Sequence, residues 1–328
     1  MRLGIYFDGF SATREMLDVC KEAEAAGADS FWFAQHMGYR DALTVAAAAA
    51  LVTTKAAVVP TAITPYLWPA LPIAMATATL DELAPGRTKI AVSVGNLLNL
   101  GESGVDAVKP VRAIRDYVEA LRKLWRGETV HMDGEIQKLR GAHMEFGKDA
   151  QIPIYIASTG PKILRLAGEV ADGVLLSAGM TLISCRHCLD AAEEGARAAG
   201  RDPGTLRKAG FINFNVSQDG VAAKKALLRK LAFLFRSKKH ADNIKSSGLA
   251  IDHDGIIAAL ARRDLDAATR LLPLEAADVF GVAGTPDECG ARLEAYLKTG
   301  LSEPVIEISG SAQERKLALN VLRELAKR

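Results

Sequence analysis

The chain is predicted to be an α/β protein. The arrangement that fits best is a closed (β/α)8 barrel, with a doubly wound open sheet as the alternative topology. Three observations lead there. Short apolar runs with β-branched residues recur eight times, each followed by a helical pattern. Runs such as Lys89-Ile90-Ala91-Val92-Ser93-Val94 are apolar almost throughout, as strands covered on both faces are. Eight such units fit within 328 residues and leave two stretches over as insertions.

The first strand is 3–7, and residues 1–7 read as that strand rather than as a leader peptide. Helix 12–26, strand 30–34, helix 42–54, strand 57–63 and helix 71–83 follow. The last of these ends at Leu80-Asp81-Glu82-Leu83-Ala84, with Pro85 and Gly86 just beyond to stop it. Strand 89–94 leads to helix 109–126. Gly127 to Ala150, with the turn Met132-Asp133-Gly134-Glu135, reads as a hairpin inserted before the fifth strand. Strand 152–157, helix 161–171, strand 173–177, helix 182–199, strand 210–216 and helix 220–235 continue the alternation. Residues 236–281 form a second insertion, after the seventh strand, with helical patterns at Asp254–Ala261 and Leu265–Leu272. Thr285 as N-cap, Pro286 at the first helical position and Glu288 three residues after the cap make a capping box that opens helix 286–299. Strand 304–308 and helix 312–327 complete the series. No internal repeat or low-complexity linker interrupts it, so residues 1–328 are expected to form a single domain. Insertions of this kind commonly serve as lids or partner surfaces.

Composition removes several function classes. With 49% hydrophobic and 24% charged residues, the chain can bury a substantial core. Its 41 basic and 39 acidic side chains leave a formal charge of +2. No basic run interleaved with aromatics supports nucleic-acid binding, and Arg236-Ser237-Lys238-Lys239-His240 reads as a solvated helix end. No run reaches the roughly 20 apolar residues that span a bilayer, so the expected location is cytoplasmic. Cys20, Cys185, Cys188 and Cys289 are too scattered for a disulfide framework. Cys185-Arg186-His187-Cys188 has a C-x-x-C spacing but lies in a helical pattern with no second ligand pair nearby, so structural thiols are expected.

In a barrel of this kind the C-terminal ends of the strands line the active site. Those ends carry Asp8, then Gln35 and His36, then Thr61, Ala62 and Thr64, and after the fourth strand Gly95, Asn96 and Asn99. Further along come Ala157, Ser158, Thr159 and Gly160, then Ser177, then Asn213 and Asn215. Hydroxyls, amides and glycine dominate and carboxylates are scarce. There is no HExxH or other metal-ligand cluster and no nucleophile with a base and orienter, so no metal is expected. Neutral donors with one imidazole suit a planar cofactor that performs its own redox chemistry. The small-residue turn Ser158-Thr159-Gly160, followed by Pro161 at a helix start, offers free N–H groups and hydroxyls to a cofactor phosphate. It can equally be a tight β–α connection. His36, the one imidazole in this set, is the candidate proton-handling residue, or else a helix-capping or carbonyl-bonding histidine.

The chain resembles the bacterial luciferase-like flavin and deazaflavin oxidoreductases at several of these residues. The resemblance is carried by Ser158-Thr159-Gly160-Pro161-Lys162, by Leu164 to Leu175, by Ala78 to Arg87, and by Lys109 to Arg122 followed by Gly127-Glu128. Asp133-Gly134-Glu135 and Ile154-Tyr155-Ile156 are most similar to the methylenetetrahydromethanopterin reductase branch, which uses the 8-hydroxy-5-deazaflavin coenzyme F420. It covers nearly the whole chain and is weakest over 236–275.

The resemblance implies a TIM barrel with the cofactor phosphate at Ser158–Gly160. It also implies a bulge, often with a non-proline cis peptide, at Thr61-Ala62 against one face of the ring, and a cofactor-contacting amide at Asn99. His36 matches the second residue of an Asp-His pair, with Gln35 in place of the acid. Asn96 stands where sugar-phosphate dehydrogenases of the family place a glutamate, which argues against that substrate. Leu67-Trp68-Pro69 replaces Arg-His-Pro after the third strand and suggests a more apolar substrate pocket. The activity so implied is hydride transfer with F420. The alternatives are an FMN monooxygenase fed by a separate reductase, and a non-catalytic cofactor-binding protein. The resemblance also implies a homodimer through the helices after the second and third strands, whose alanines (46–50 and 74–78) allow close approach; close packing on the barrel would explain those alanines as well.

Overall fold

The computed structural model describes residues 2–308 and 310–326. The last residue of the expected 312–327 helix lies outside them. Twelve strands are present: β1 (Gly4–Phe7), β2 (Ser30–Ala34), β3 (Ala57–Thr61), β4 (Ile90–Val92), β5 (Val130–Asp133), β6 (Lys138–Ala142), β7 (Ile154–Ala157), β8 (Gly173–Leu176), β9 (Arg207–Ile212), β10 (Phe214–Val216), β11 (Val282–Gly284) and β12 (Glu303–Glu307). Eight of them form one parallel sheet in the order β3-β2-β1-β12-β9-β8-β7-β4. Further parallel bridges, Val58 to Thr88 and Ile63 to Val92, connect the β3 segment to the β4 segment. The expected eight-strand alternation is therefore present, with β1, β3, β4, β7 and β8 shorter than the apolar runs and β9 beginning three residues earlier than expected.

Contacts divide the chain into two compact units. The first comprises Gly4–Leu175 and Asp190–Lys208. Its registers are parallel, with Gly4 opposite Ser30, Ser30 opposite Ala57, Ile90 opposite Ile154 and Tyr155 opposite Gly173. Every residue of β2, β3 and β4 is buried, because helices cover one face and the strand interior the other. The Trp32 ring meets Tyr155 edge-on at 5.1 Å and donates from Nε1 to Ser30 Oγ at 2.8 Å. Lys89 Nζ lies over both rings, 6.0 and 5.6 Å from their centroids.

Helix boundaries in this unit follow local chemistry. Asp41 caps helix Ala42–Val52 by accepting from Thr44 N–H. Arg87, just after Pro85-Gly86, donates to Ala50 O, Ala56 O and Thr53 Oγ1, closing the far end of that helix. Pro110 and Pro161 open helices Pro110–Trp125 and Pro161–Val170. The inserted hairpin is antiparallel β5–β6.

The second unit comprises residues through Leu3, Leu176–Leu189 and Ala209 onward. Here β12 pairs with β9, Glu303 opposite Ala209. The expected strand 210–216 breaks at Asn213, and its second half, β10, pairs instead with β11, which the sequence did not announce. Helices Gly220–Leu234, Ala241–Ser246, His253–Ala261, Leu265–Arg270 and Ala276–Phe280 make up the second insertion and its flanks. They enclose an apolar cluster around Leu227, Phe235 and Phe280, with the two phenylalanine rings edge-on at 4.9 Å.

The expectation of a solvated helix end at 236–240 fails at His240. That ring is 4% exposed and packs on Phe235 at 5.6 Å. Burial pulls its pKa down to about 4, helped by Lys239, His253 and Arg236. The basic letters hid an apolar contact.

Candidate active site

In the first unit the loops that leave β1, β2, β3 and β4 are tied together by hydrogen bonds. His36 Nδ1 lies 2.9 Å from Asp8 O. A carbonyl only accepts, so Nδ1 carries the proton and Nε2 of the neutral ring presents a lone pair. Among the described residues Nε2 has no partner. Phe10 lies 5.8 Å from the His36 ring and 4.3 Å from Tyr39. Phe10, Met37 and Tyr39 are 48, 37 and 54% exposed, so an apolar surface borders the imidazole.

Gln35 turns its side chain away from this surface. Its Oε1 accepts from Ala42 N–H at 2.7 Å and its Nε2 donates to Asp41 Oδ2 at 3.2 Å, so the amide finishes the N-terminus of helix Ala42–Val52. Its backbone N–H donates to Thr61 O. The Thr61-Ala62 peptide is cis, as the resemblance implies. Thr61 is buried and donates to Val59 O, while Thr64 Oγ1 donates to Val94 O at 2.9 Å. Gly95, at φ +94°, lets the next loop approach: a Cβ there would lie 3.3 Å from the Thr64 side chain.

Asn96 and Asn99 take different parts. Asn96 Oδ1 accepts from Leu98 N–H at 3.0 Å and caps a short helix, Leu97–Glu102, that the sequence reading passed over. Asn99 sits on that helix, half-buried, and its side-chain amide has no partner among the described residues.

After β7, Ala157 and Ser158 are half-buried and Thr159 and Gly160 are exposed. Ser158 Oγ accepts from Gly160 N–H at 3.0 Å, which folds the turn onto itself. Gly160 is the N-cap of Pro161–Val170, and no side chain satisfies the helix start. A Cβ at Gly160 would meet only Ser158 Oγ, at 3.7 Å, so open space lies before the helix N-terminus.

One supporting residue escaped the sequence reading. Gln137, on the hairpin and 2% exposed, accepts from Ala70 N–H at 2.9 Å and donates to Pro65 O at 3.0 Å. It fastens the loop carrying Leu67-Trp68-Pro69. A lone glutamine in a hairpin gives no signal without the contact.

In the second unit, Asn213 Nδ2 and Asn215 Oδ1 are buried and without a hydrogen-bond partner among the described residues. Cys185 and Cys188 are buried thiols outside any disulfide; burial pushes them up to about 12 and about 11, which disfavours the reactive thiolate. Among the described residues no group of His, Cys, Asp and Glu is arranged to hold a metal ion.

Eight parallel strands alternating with helices, with polar loops at the strand ends, define a TIM-barrel protein. The luciferase-like monooxygenase family matches residues 2–303, and the chain belongs to that family. It is similar to the coenzyme F420-dependent tetrahydromethanopterin reductase of Methanopyrus kandleri, with a TM-score of 0.89 at 25% identity, covering 98% of this chain and 97% of that one. It is 29% identical over 314 residues to the 5,10-methylenetetrahydromethanopterin reductase of Methanolobus tindarius, covering 93% of each. It is 30% identical over 327 residues to the F420-dependent glucose-6-phosphate dehydrogenase of Mycolicibacterium fortuitum, covering 94% of this chain and 92% of that protein.

Proposed function

We propose that this chain is an oxidoreductase that transfers hydride between the deazaflavin coenzyme F420 and a small organic substrate. The observation that carries the reading is the open turn at Ser158–Gly160, where the helix start has no side-chain cap and a Cβ at Gly160 would meet only Ser158 Oγ. The names of the relatives support the deazaflavin. The residues fit such a group: the turn would hold the phosphate, the unpartnered Asn99 amide a polar edge, and the Thr61-Ala62 segment one ring face. When bound, the coenzyme supplies a two-electron hydride carrier that does not activate oxygen. The chain's own part is to orient the ring, exclude water and manage one proton. His36 does the last, with Asp8 O holding Nδ1–H in place and Nε2 exchanging the proton: protonated from solvent, it gives that proton to the carbonyl oxygen or imine nitrogen as hydride arrives, and in the reverse direction it accepts it back.

Phe10, Met37 and Tyr39 beside His36, together with Leu67 and Trp68, favour an apolar carbonyl or imine substrate over a sugar phosphate. We further infer one cytoplasmic domain that acts as a homodimer. No described helix is long and apolar enough to cross a membrane. Turnover of reduced F420 with a panel of apolar carbonyl and imine compounds, run under nitrogen and in air, tests the reading. Equal rates in both are expected. A rate that requires oxygen and FMN would make the chain a monooxygenase dependent on a separate reductase. Failure of every substrate despite tight cofactor binding would make it a binding protein.

A further inference from the structure

A cavity of about 480 Å³ lies among the N-terminal ends of β7, β8 and β9, so it is at the opposite end of these strands from the Ser158–Gly160 turn. Its lining includes Arg122, Arg126, Arg201 and Arg207 against one carboxylate, Asp172. The volume falls in the range of small-ligand pockets, roughly 300–1,000 Å³. Most of these groups have a structural task. Arg201 donates to Gly168 O and Ala171 O, and Arg122 Nη2 donates to Val170 O and Asp172 Oδ2, so together they close the C-terminus of helix Pro161–Val170. Asp172 also accepts from Ile154 N–H, and Arg126 pairs with Glu128.

Two sets of donors remain. Arg122 Nε is buried with no hydrogen-bond partner among the described residues. Arg207 is half-buried, and although its backbone N–H donates to Asp172 O, its guanidinium has no partner among the described residues. A half-buried cation facing other cations is costly unless an anion joins it. The guanidinium fork matches the paired oxygens of a phosphate.

We propose that this cavity is an anion site, separate from the cofactor site, that takes a phosphate group, either free or on a small phosphorylated metabolite. Arg207 is its main ligand, with Arg122, Arg126 and Arg201 adding positive charge around it. The concave shape suits a small molecule better than an acidic segment of another protein.

Calorimetric titration with inorganic phosphate, at constant ionic strength held by chloride, tests the proposal. It is run on wild type, Arg207→Ala, Arg207→Lys and Gly160→Val. The wild type should show saturable binding. Arg207→Ala should weaken it about tenfold or more, the usual effect of losing a charge-assisted pair, and Arg207→Lys by less. Gly160→Val, which blocks the turn at the other end of the strands, should leave it in place. Since the Arg207 side chain holds nothing in the fold, thermal unfolding of Arg207→Ala should match the wild type, so a loss of binding reports the site. Absence of saturable binding, or equal binding by wild type and Arg207→Ala, overturns the proposal. So does binding that survives in Arg207→Ala and vanishes in Gly160→Val, which would assign the phosphate to the turn. A dependence on phosphorylated metabolites but not free phosphate, still abolished by Arg207→Ala, would support it and name the source.

Discussion

His36 shows what a single hydrogen bond adds to a position in a sequence. Its place after the second strand marks it as a candidate, but a histidine bonded to a carbonyl was an equally good reading. The carbonyl bond is present, and it leaves the second ring nitrogen available for the other role. Asp8 O fixes Nδ1, and that bond leaves Nε2 facing the apolar surface of Phe10 and Tyr39 as an acceptor. Replacing His36 with Asn should preserve cofactor affinity and lower turnover of bound substrate by roughly 10²–10⁴, the usual worth of a general acid or base. Single-turnover kinetics with cofactor already bound would show it, and an unchanged rate would leave His36 with the structural bond alone. Gln35 and Asn96 differ from His36. Both were cofactor candidates by position, and both spend side-chain oxygens on helix starts, Ala42 N–H and Leu98 N–H respectively. Any contact they make with a cofactor would come from the backbone or from the remaining Asn96 amide nitrogen.

At the scale of elements, Glu24 is a clear case of one side chain joining two segments. It lies near the end of helix Thr13–Ala25 and accepts from the N–H groups of Thr54, Lys55 and Ala56 at the entry to β3. Partial burial raises its pKa, but those three N–H bonds outweigh the effect and hold the carboxyl below the usual glutamate range. A carboxyl with a lowered folded pKa adds stability above its unfolded value and loses it as pH falls through the folded one. Glu24→Gln should therefore unfold at a lower temperature than wild type at neutral pH, and the gap should close as pH drops below roughly 4. A gap that does not change with pH would show that the carboxylate charge is not what joins the segments. Helix starts were legible wherever Pro110, Pro161 or Thr285-Pro286 marked them, because the missing N–H or the capping hydroxyl acts locally. β11 and helix Ala276–Phe280 were not legible, since three and five residues hold fewer than two of the 2.0- and 3.6-residue periods that a pattern needs in order to repeat. The split of 210–216 at Asn213 was hidden for a different reason. The run stays apolar in composition, and only pairing with β11 shows that its second half has left the main sheet. The short helix after Asn96 and the clamp made by Gln137 depend on partners distant in sequence or on a single amide, and no spacing rule reports either.

For the whole molecule, the eight strands of the main sheet and the hairpin insertion followed from the sequence, which also expects a dimer at the Ala-rich helices. Helices Ala42–Val52 and Ala70–Leu83 pack on each other and still expose Leu51 at 70%, Met75 at 46% and Leu83 at 41%. With the alanines around them, these side chains form a face that a second copy could cover at little entropic cost. Sedimentation at micromolar concentration should show a species of twice the chain mass, and Leu51→Glu should return it to one chain; a wild-type species of single mass would contradict the dimer. The central claim is that the strand-end site, with its phosphate turn at Ser158–Gly160, is built for a deazaflavin. Titrating the apo-protein in parallel with F420 and FMN, following fluorescence quenching, tests it most directly. The account predicts that F420 binds at least tenfold more tightly, a difference of about 1.4 kcal/mol, and that Gly160→Val abolishes this binding without changing the melting temperature. Equal or tighter binding of FMN, or binding of F420 unaffected by Gly160→Val, would contradict it.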